Sequence, residues 1–219
     1  MYRALILKEL HDLRGVIAVA AVAVTLVTLT LAGLPLLAGF VSNNGHGQFV
    51  RFTAGAEETA LTCTGFLTAV AFGYWQTFLE VQRGTALYLF HRPLSRQNIV
   101  LLKLAVGLTL QTGLMAGAIV TLGVLAGWPR MWPAPFYWSW TWGCWVLATW
   151  TLLVYLGASA SGWLSARWFG LKLAPLLATG PMFLFAFLAT YSAWALLGVA
   201  ICSVPLIVTT LYAAESRDY

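Results

Sequence analysis

EVQRGTALYLFHRPLSRQNIVLLK, residues 80–103, gathers Glu80, Arg83, Arg92, Arg96 and Lys103 into one segment. Only 9% of the 219 residues are charged and 60% are hydrophobic. The mean hydropathy is +0.82. A soluble domain is typically about 25% charged, so the natural solvent of this chain is lipid. Charge is scarce here, and where it is concentrated fixes the layout of everything around it.

Outward from this segment run charge-free gaps. Residues 15–50, 59–79, 104–129, 131–166 and 173–214 lack Asp, Glu, Lys and Arg. A crossing helix needs about 20 apolar residues, so the last gap is long enough for two, with a turn near Thr190, Tyr191 and Ser192. A five-span reading stays open, because no strong turn chemistry breaks that gap. The expectation is an all-α, polytopic membrane protein forming one transmembrane domain over residues 1–219. Its six spans fall at about 16–40, 59–79, 98–126, 137–163, 171–190 and 192–213.

With the N-terminus inside, Arg3, Lys8, Arg14, Arg83, Arg92, Arg96, Lys103, Arg167, Lys172 and Arg217 share one side, leaving Arg51 and Arg130 on the other. Cytoplasmic loops carry such an excess, which places both termini in the cytoplasm. The net charge of +5 is thereby explained without nucleic acid. Residues 1–14 read as an amphipathic interfacial helix with Tyr2, Ile6, Leu10, Leu13 and Ile17 on one stripe and Lys8 and Asp12 on another face. The plainer alternative is a basic flank of the first span.

Seven of the eleven tryptophans fall between residues 127 and 150. Indole rings favour the headgroup level, so this segment is an interfacial belt or, alternatively, an aromatic vestibule for substrate. Gly113 and Gly117, Gly123 and Gly127, and the run from Gly157 through Ser161 to Gly162 are read as helix-packing faces, since small residues let backbones approach in lipid. Cys63, Cys144 and Cys202 are far apart in sequence and are read as buried apolar side chains.

Several chemistries lack their residues. His11, His46 and His91 lie in loops or flanks, so no base is expected beside Ser159 or Ser161. No spacing suits a metal. Lys8, Lys103 and Lys172 each follow a leucine, so none completes a phosphate loop. No catalytic residue, cofactor or metal ligand is expected in the chain. Gln111, Thr112 and Ser159 are the few polar residues at depth for an ion-coupled carrier.

Residues 80–97 read as a coupling segment on the cytoplasmic side: a short coupling helix from Glu80 to His91 that Pro93 ends, followed by Ser95 as the N-cap of the third span. From the residues alone it is either a lever for a soluble partner or a loop that sets topology. Its pattern, carried by Glu80, Arg83, Gly84, Thr85, Leu89, Pro93, Ser95, Arg96, Ile99 and Lys103, resembles the cytoplasmic loop of ABC transporter permeases of the type-two (exporter) superfamily. LILKELHDLR at 5–14 is similar to that family's entry helix. The resemblance implies a permease subunit of an ATP-driven exporter, without enzymatic activity of its own. It implies a separate cytoplasmic ATPase subunit carrying ATP and Mg, and pairing as a homodimer or with a sister permease. It implies a bacterial inner membrane, and an ATPase-coupling interface of Glu80, Arg83, Gly84, Thr85, Arg92, Glu9 and Arg14. A membrane assembly factor without transport and an ion-coupled carrier are the alternatives.

Overall fold

The computed structural model describes residues 2–32, 55–83, 95–128, 136–164, 169–188 and 192–215. Among these the regular elements are all helical. They are α1 (Tyr2–Leu31), α2 (Ala56–Arg83), α3 (Arg96–Ala126), a 3₁₀ turn (Trp138–Thr141), α4 (Trp142–Trp163), α5 (Phe169–Leu177), α6 (Thr179–Leu188) and α7 (Ala193–Glu215). Four helical stretches are long and apolar enough to cross a membrane: Tyr2–Leu31, Arg96–Ala126, Trp138–Trp163 and Trp194–Glu215.

Two expected spans take a different form. Residues 59–79 lie within α2, whose first turn carries Glu57 and Glu58 and whose later turns carry Gln76 and several threonines. That polarity keeps α2 out of the strongly apolar set. The expected span 171–190, as far as Leu188, is divided between α5 and α6, with Pro175 inside α5. Proline removes a backbone donor and crowds the preceding turn. Between α6 and α7, Leu188 ends one helix and Ala193 starts the next. Here the Ser192 hydroxyl accepts from the Trp194 N–H at 3.2 Å. Thr190 and Tyr191 lie outside the described residues.

The interfacial helix and first span are one uninterrupted element, α1. Its buried stripe is Leu5, Glu9, Leu13, Ala20 and Val24; of the expected stripe only Leu13 belongs to it, and Tyr2, Ile6, Leu10 and Ile17 do not. Tyr2 is exposed. The expected stripe is displaced because a carboxylate, Glu9, occupies the inward position. Lys8 and Asp12 pair on an outer face at 3.6 Å.

Helix α4 is the axis of the bundle. Every residue from Leu153 to Trp163 is buried. It packs most extensively on α2 and also meets α3, α5, α6 and α7, while α1 covers α2 and α3. A helix buried all round belongs at the centre of its assembly. Close approach of α2 to α4 depends on Gly73, where a Cβ would meet the Tyr155 carbonyl, the Ala158 methyl and the Ser159 amide.

Two apolar clusters fill the ends of the bundle. One contains Val24, Leu61, Met115, Ile119, Leu122 and Cys144. The other contains Phe72, Val100, Leu104, Val154, Tyr155 and Trp163. The beginnings of α1 and α3 and the ends of α2 and α7 lie at the second end. Glu9 reaches Lys103 there, and Gln97 donates to Glu215 at 2.7 Å.

Candidate functional site

Near that end, four helices each contribute one polar side chain to a buried cluster. Glu9 on α1, Gln76 on α2, Lys103 on α3 and Tyr155 on α4 are all at least 95% buried. The Lys103 ammonium donates to Glu9 Oε1 at 2.7 Å. The Gln76 amide nitrogen donates to Glu9 Oε2 at 3.1 Å and to the Lys103 carbonyl at 3.1 Å. The Tyr155 hydroxyl donates to Gln76 Oε1 at 2.8 Å.

The local sequence explains how these groups meet. Lys103 is the eighth residue of α3, so it follows two turns of helix started by Ser95, whose hydroxyl accepts from the Asn98 N–H at 3.3 Å. Gly107 lies one turn beyond Lys103. A side chain there would overlap the Tyr155 phenol, so the glycine makes room for the ring. Leu5, Ile99 and Leu102 cap the cluster with apolar surface.

A second polar layer lies two turns further along α3. Gln111, fully buried, donates to the Gly65 carbonyl at 3.0 Å and to the Thr151 hydroxyl at 3.2 Å. The Thr68 hydroxyl donates to Gln111 Oε1 at 3.3 Å. Thr151 and Tyr155 are one helical turn apart on α4 and join the two layers on one face. Polar side chains bonded across helices hold apolar bundles together, each contributing about 0.6 kcal/mol on average. The ion pair differs in kind. Stripping two charges of water is expensive, and removing one partner strands the other at about 3–5 kcal/mol.

The expected site residues fall in different places. Glu9 is turned inward against Lys103 and is not presented to a docking partner. This departs from its assignment to a coupling surface, because a buried carboxylate needs its cation. Arg14 is exposed on α1. Glu80 and Arg83 belong to the last turn of α2. Gly84, Thr85 and Arg92 lie outside the described residues. Among the packing residues, Gly123 contacts Trp138, Gly127 contacts Phe136, and Gly157 contacts the Pro175 backbone and Thr179. Ser161 is buried and donates to the Gly157 carbonyl at 2.8 Å. A side-chain carbon added at Gly113 or Gly117 would meet no atom among the described residues. Their expected role as a packing face is therefore not tested within the bundle, where Gly65 and Gly73 of α2 make the close approaches. Of the polar residues expected at depth, Gln111 and Ser159 are buried and Thr112 is exposed.

In the tryptophan-rich segment, Trp128, Tyr137, Trp138 and Trp142 are exposed at helix ends. Trp150 is buried and donates its indole N–H to the Thr179 carbonyl at 3.0 Å. Among the described residues, no group of three His, Cys, Asp or Glu side chains is placed to hold a metal.

Sequence reasoning did not find this cluster, since it set Lys103 among the cytoplasmic basic residues and Glu9 on a coupling surface; the signal that pointed to it is a lysine inside an expected span, 98–126. Gln76 and Tyr155 carry no such signal, because a single amide or phenol in an apolar helix fits many environments. The chain matches no protein-family model, no curated protein and no solved structure. Fold and site together define a class: an all-helical protein, compatible with multiple membrane passes, locked by a buried ion pair.

Proposed function

We propose that the chain is the membrane-spanning permease subunit of an ATP-driven exporter of the ABC type. A separate cytoplasmic ATPase subunit binds ATP and Mg and delivers the stroke, and two permease subunits, identical or sister, enclose the path. The membrane is a bacterial inner membrane and both termini are cytoplasmic.

One observation carries this reading. The charged segment is held at both ends by helices that the Glu9–Lys103–Gln76 cluster clamps together. Helix α2 runs without a break to Arg83, and α3 begins at Arg96. A push on residues 84–94 would therefore move α2, α3 and α1 as one body. Such a push changes a conformational equilibrium only if the partner contacts the two states differently. Glu80, Arg83, Gly84, Thr85, Arg92 and the exposed Arg14 would form that contact, while Glu9 would act behind it as the clamp.

The buried ion pair also favours a second reading, an ion-coupled carrier, since ionisable groups inside a membrane mark ion paths. Length argues for the first. Helix α1 has 30 residues and is about 45 Å long, against a hydrocarbon core of about 30 Å. Its excess of about 15 Å lets Glu9 sit near the membrane surface rather than the midplane.

The test is purification in mild detergent from the native membrane, with copurifying proteins identified by mass spectrometry. A nucleotide-hydrolysing partner, lost on Glu80→Ala/Arg83→Ala substitution while the chain still inserts, is the expected result. A preparation without an ATPase, together with proton-driven uptake abolished by Glu9→Gln, would favour the carrier.

A further inference from the structure

A cavity of about 290 Å³ lies between α4, the break joining α5 to α6, and α7. It is distinct from the ion-pair cluster and takes no part in the coupling described above. Leu153, fully buried, is its floor. Met182, Cys202 and Leu206, each half-buried, are its walls. Ala178, Pro205 and Thr209 are exposed at its rim, so it opens sideways rather than toward either end of the bundle.

Depth and chemistry identify what it takes. Leu153 is near the middle of α4, and Pro205 is near the middle of α7, a helix apolar enough to cross a membrane. The mouth therefore faces hydrocarbon, where headgroups and water are absent. The lining hydroxyls are already engaged by nearby backbone carbonyls. Thr179 donates to the Leu176 carbonyl at 2.6 Å and Thr209 to the Leu206 carbonyl at 2.9 Å. The Cys202 thiol lies 3.0 Å from the Met182 sulfur. No polar guest would be recognised here. Packed interiors leave few voids larger than a water molecule, and an apolar cavity of about 150 Å³ already takes up benzene. The space here suits one flexible chain and is at the small end for a bulky drug, since drug sites start at about 300 Å³.

We propose that this cavity binds a single hydrocarbon chain of a membrane amphiphile, which enters sideways from the bilayer between α7 and the α5–α6 break. The proposal stands on the membrane placement of α4 and α7. It holds whether the subunit is driven by an ATPase or by an ion gradient, and its failure leaves the exporter reading untouched.

Photolabelling in lipid nanodiscs tests it. One arm uses a phospholipid with a mid-chain diazirine, the other a free fatty acid with the same group. The expected result is adducts on Leu153, Met182, Cys202 or Leu206 that are lost on Ala178→Trp, which plugs the mouth. Adducts on the outward-facing Ile201 and Val204 should persist and report a folded, inserted chain. If Ala178→Trp fails to insert, Leu206→Phe narrows the cavity from its wall. Labelling from the phospholipid arm alone identifies a resident bilayer lipid; labelling from the fatty acid arm identifies a free amphiphile, and both support the proposal. Adducts confined to Ile201 and Val204, or cavity adducts unchanged by both plugging variants, would overturn it. So would a mouth closed to both probes by a second copy of the chain.

Discussion

Glu9 and Lys103 neutralise each other in a place where neither tolerates solitude. Glu9→Gln or Lys103→Met alone should destabilise the chain by about 3–5 kcal/mol, whereas Glu9→Leu combined with Lys103→Met should lose much less. Thermal unfolding of the purified variants in detergent measures the difference, and equal losses in single and double variants would contradict it. Glu58 presents the opposite situation. Its Oε1 is buried without a hydrogen-bond partner among the described residues. Burial, and then the neighbouring Glu57, push its carboxyl above the ordinary 4.5. A carboxyl raised on folding binds more protons in the folded state, so stability falls as pH rises through the folded value. Glu58→Gln should therefore raise the melting temperature at neutral pH and leave it unchanged below about pH 4. A constant gain at every pH would assign the effect to packing instead of charge.

At the scale of elements, the contrast between two glycine pairs is testable. Gly73→Leu drives a side chain into the backbone of α4 and should cost at least the roughly 1–3 kcal/mol typical of overpacking. At Gly113 and Gly117 an added side chain starts in open space among the described residues, so Gly113→Leu and Gly117→Leu should leave unfolding unchanged, with any effect confined to self-association measured by cross-linking. The sequence displays Gly113 and Gly117 as the conspicuous motif, yet Gly65, Ala69, Gly73 and Thr77 carry the tight contact. Spacing marks a face as small but does not say which neighbour uses it. Helix existence was legible because long charge-free runs have few alternatives in lipid. Ser95 was legible as a cap because its side chain bonds locally. The partnership of Glu9 with Lys103 spans 94 positions, and periodicity is silent on contacts at that range. The division of residues 171–188 into α5 and α6 was not legible: Pro175 lies inside α5 rather than at the break, and one proline permits a kink as readily as a break.

For the whole molecule, the start of α1, the start of α3 and the end of α7 share one end. Cysteines introduced at Asp12 and Glu215, in a chain lacking Cys63 and Cys202, should therefore react with a membrane-impermeant maleimide from the same side. Under the proposed topology, that side is the one carrying the excess of basic residues. Reaction from opposite sides would rule out the six-span expectation and favour the five-span alternative.

The burial of α4 on every side has a consequence for biosynthesis. Helix α2 places Gln76, Thr68 and the Gly65 carbonyl against partners on α3 and α4, and both are made later. The last residue of α4 follows the last residue of α2 by 80 positions (163 − 83). At about 5–20 residues per second, that is an interval of roughly 4–16 s. Within that interval α1 and then α3 cover part of this polar face, through Glu9 on Gln76 and Gln111 on Thr68 and Gly65, while the Gln76 side-chain carbonyl oxygen still waits for Tyr155. Assembly is therefore stepwise, and a chain stopped before Trp142 lacks the helix that closes the layer.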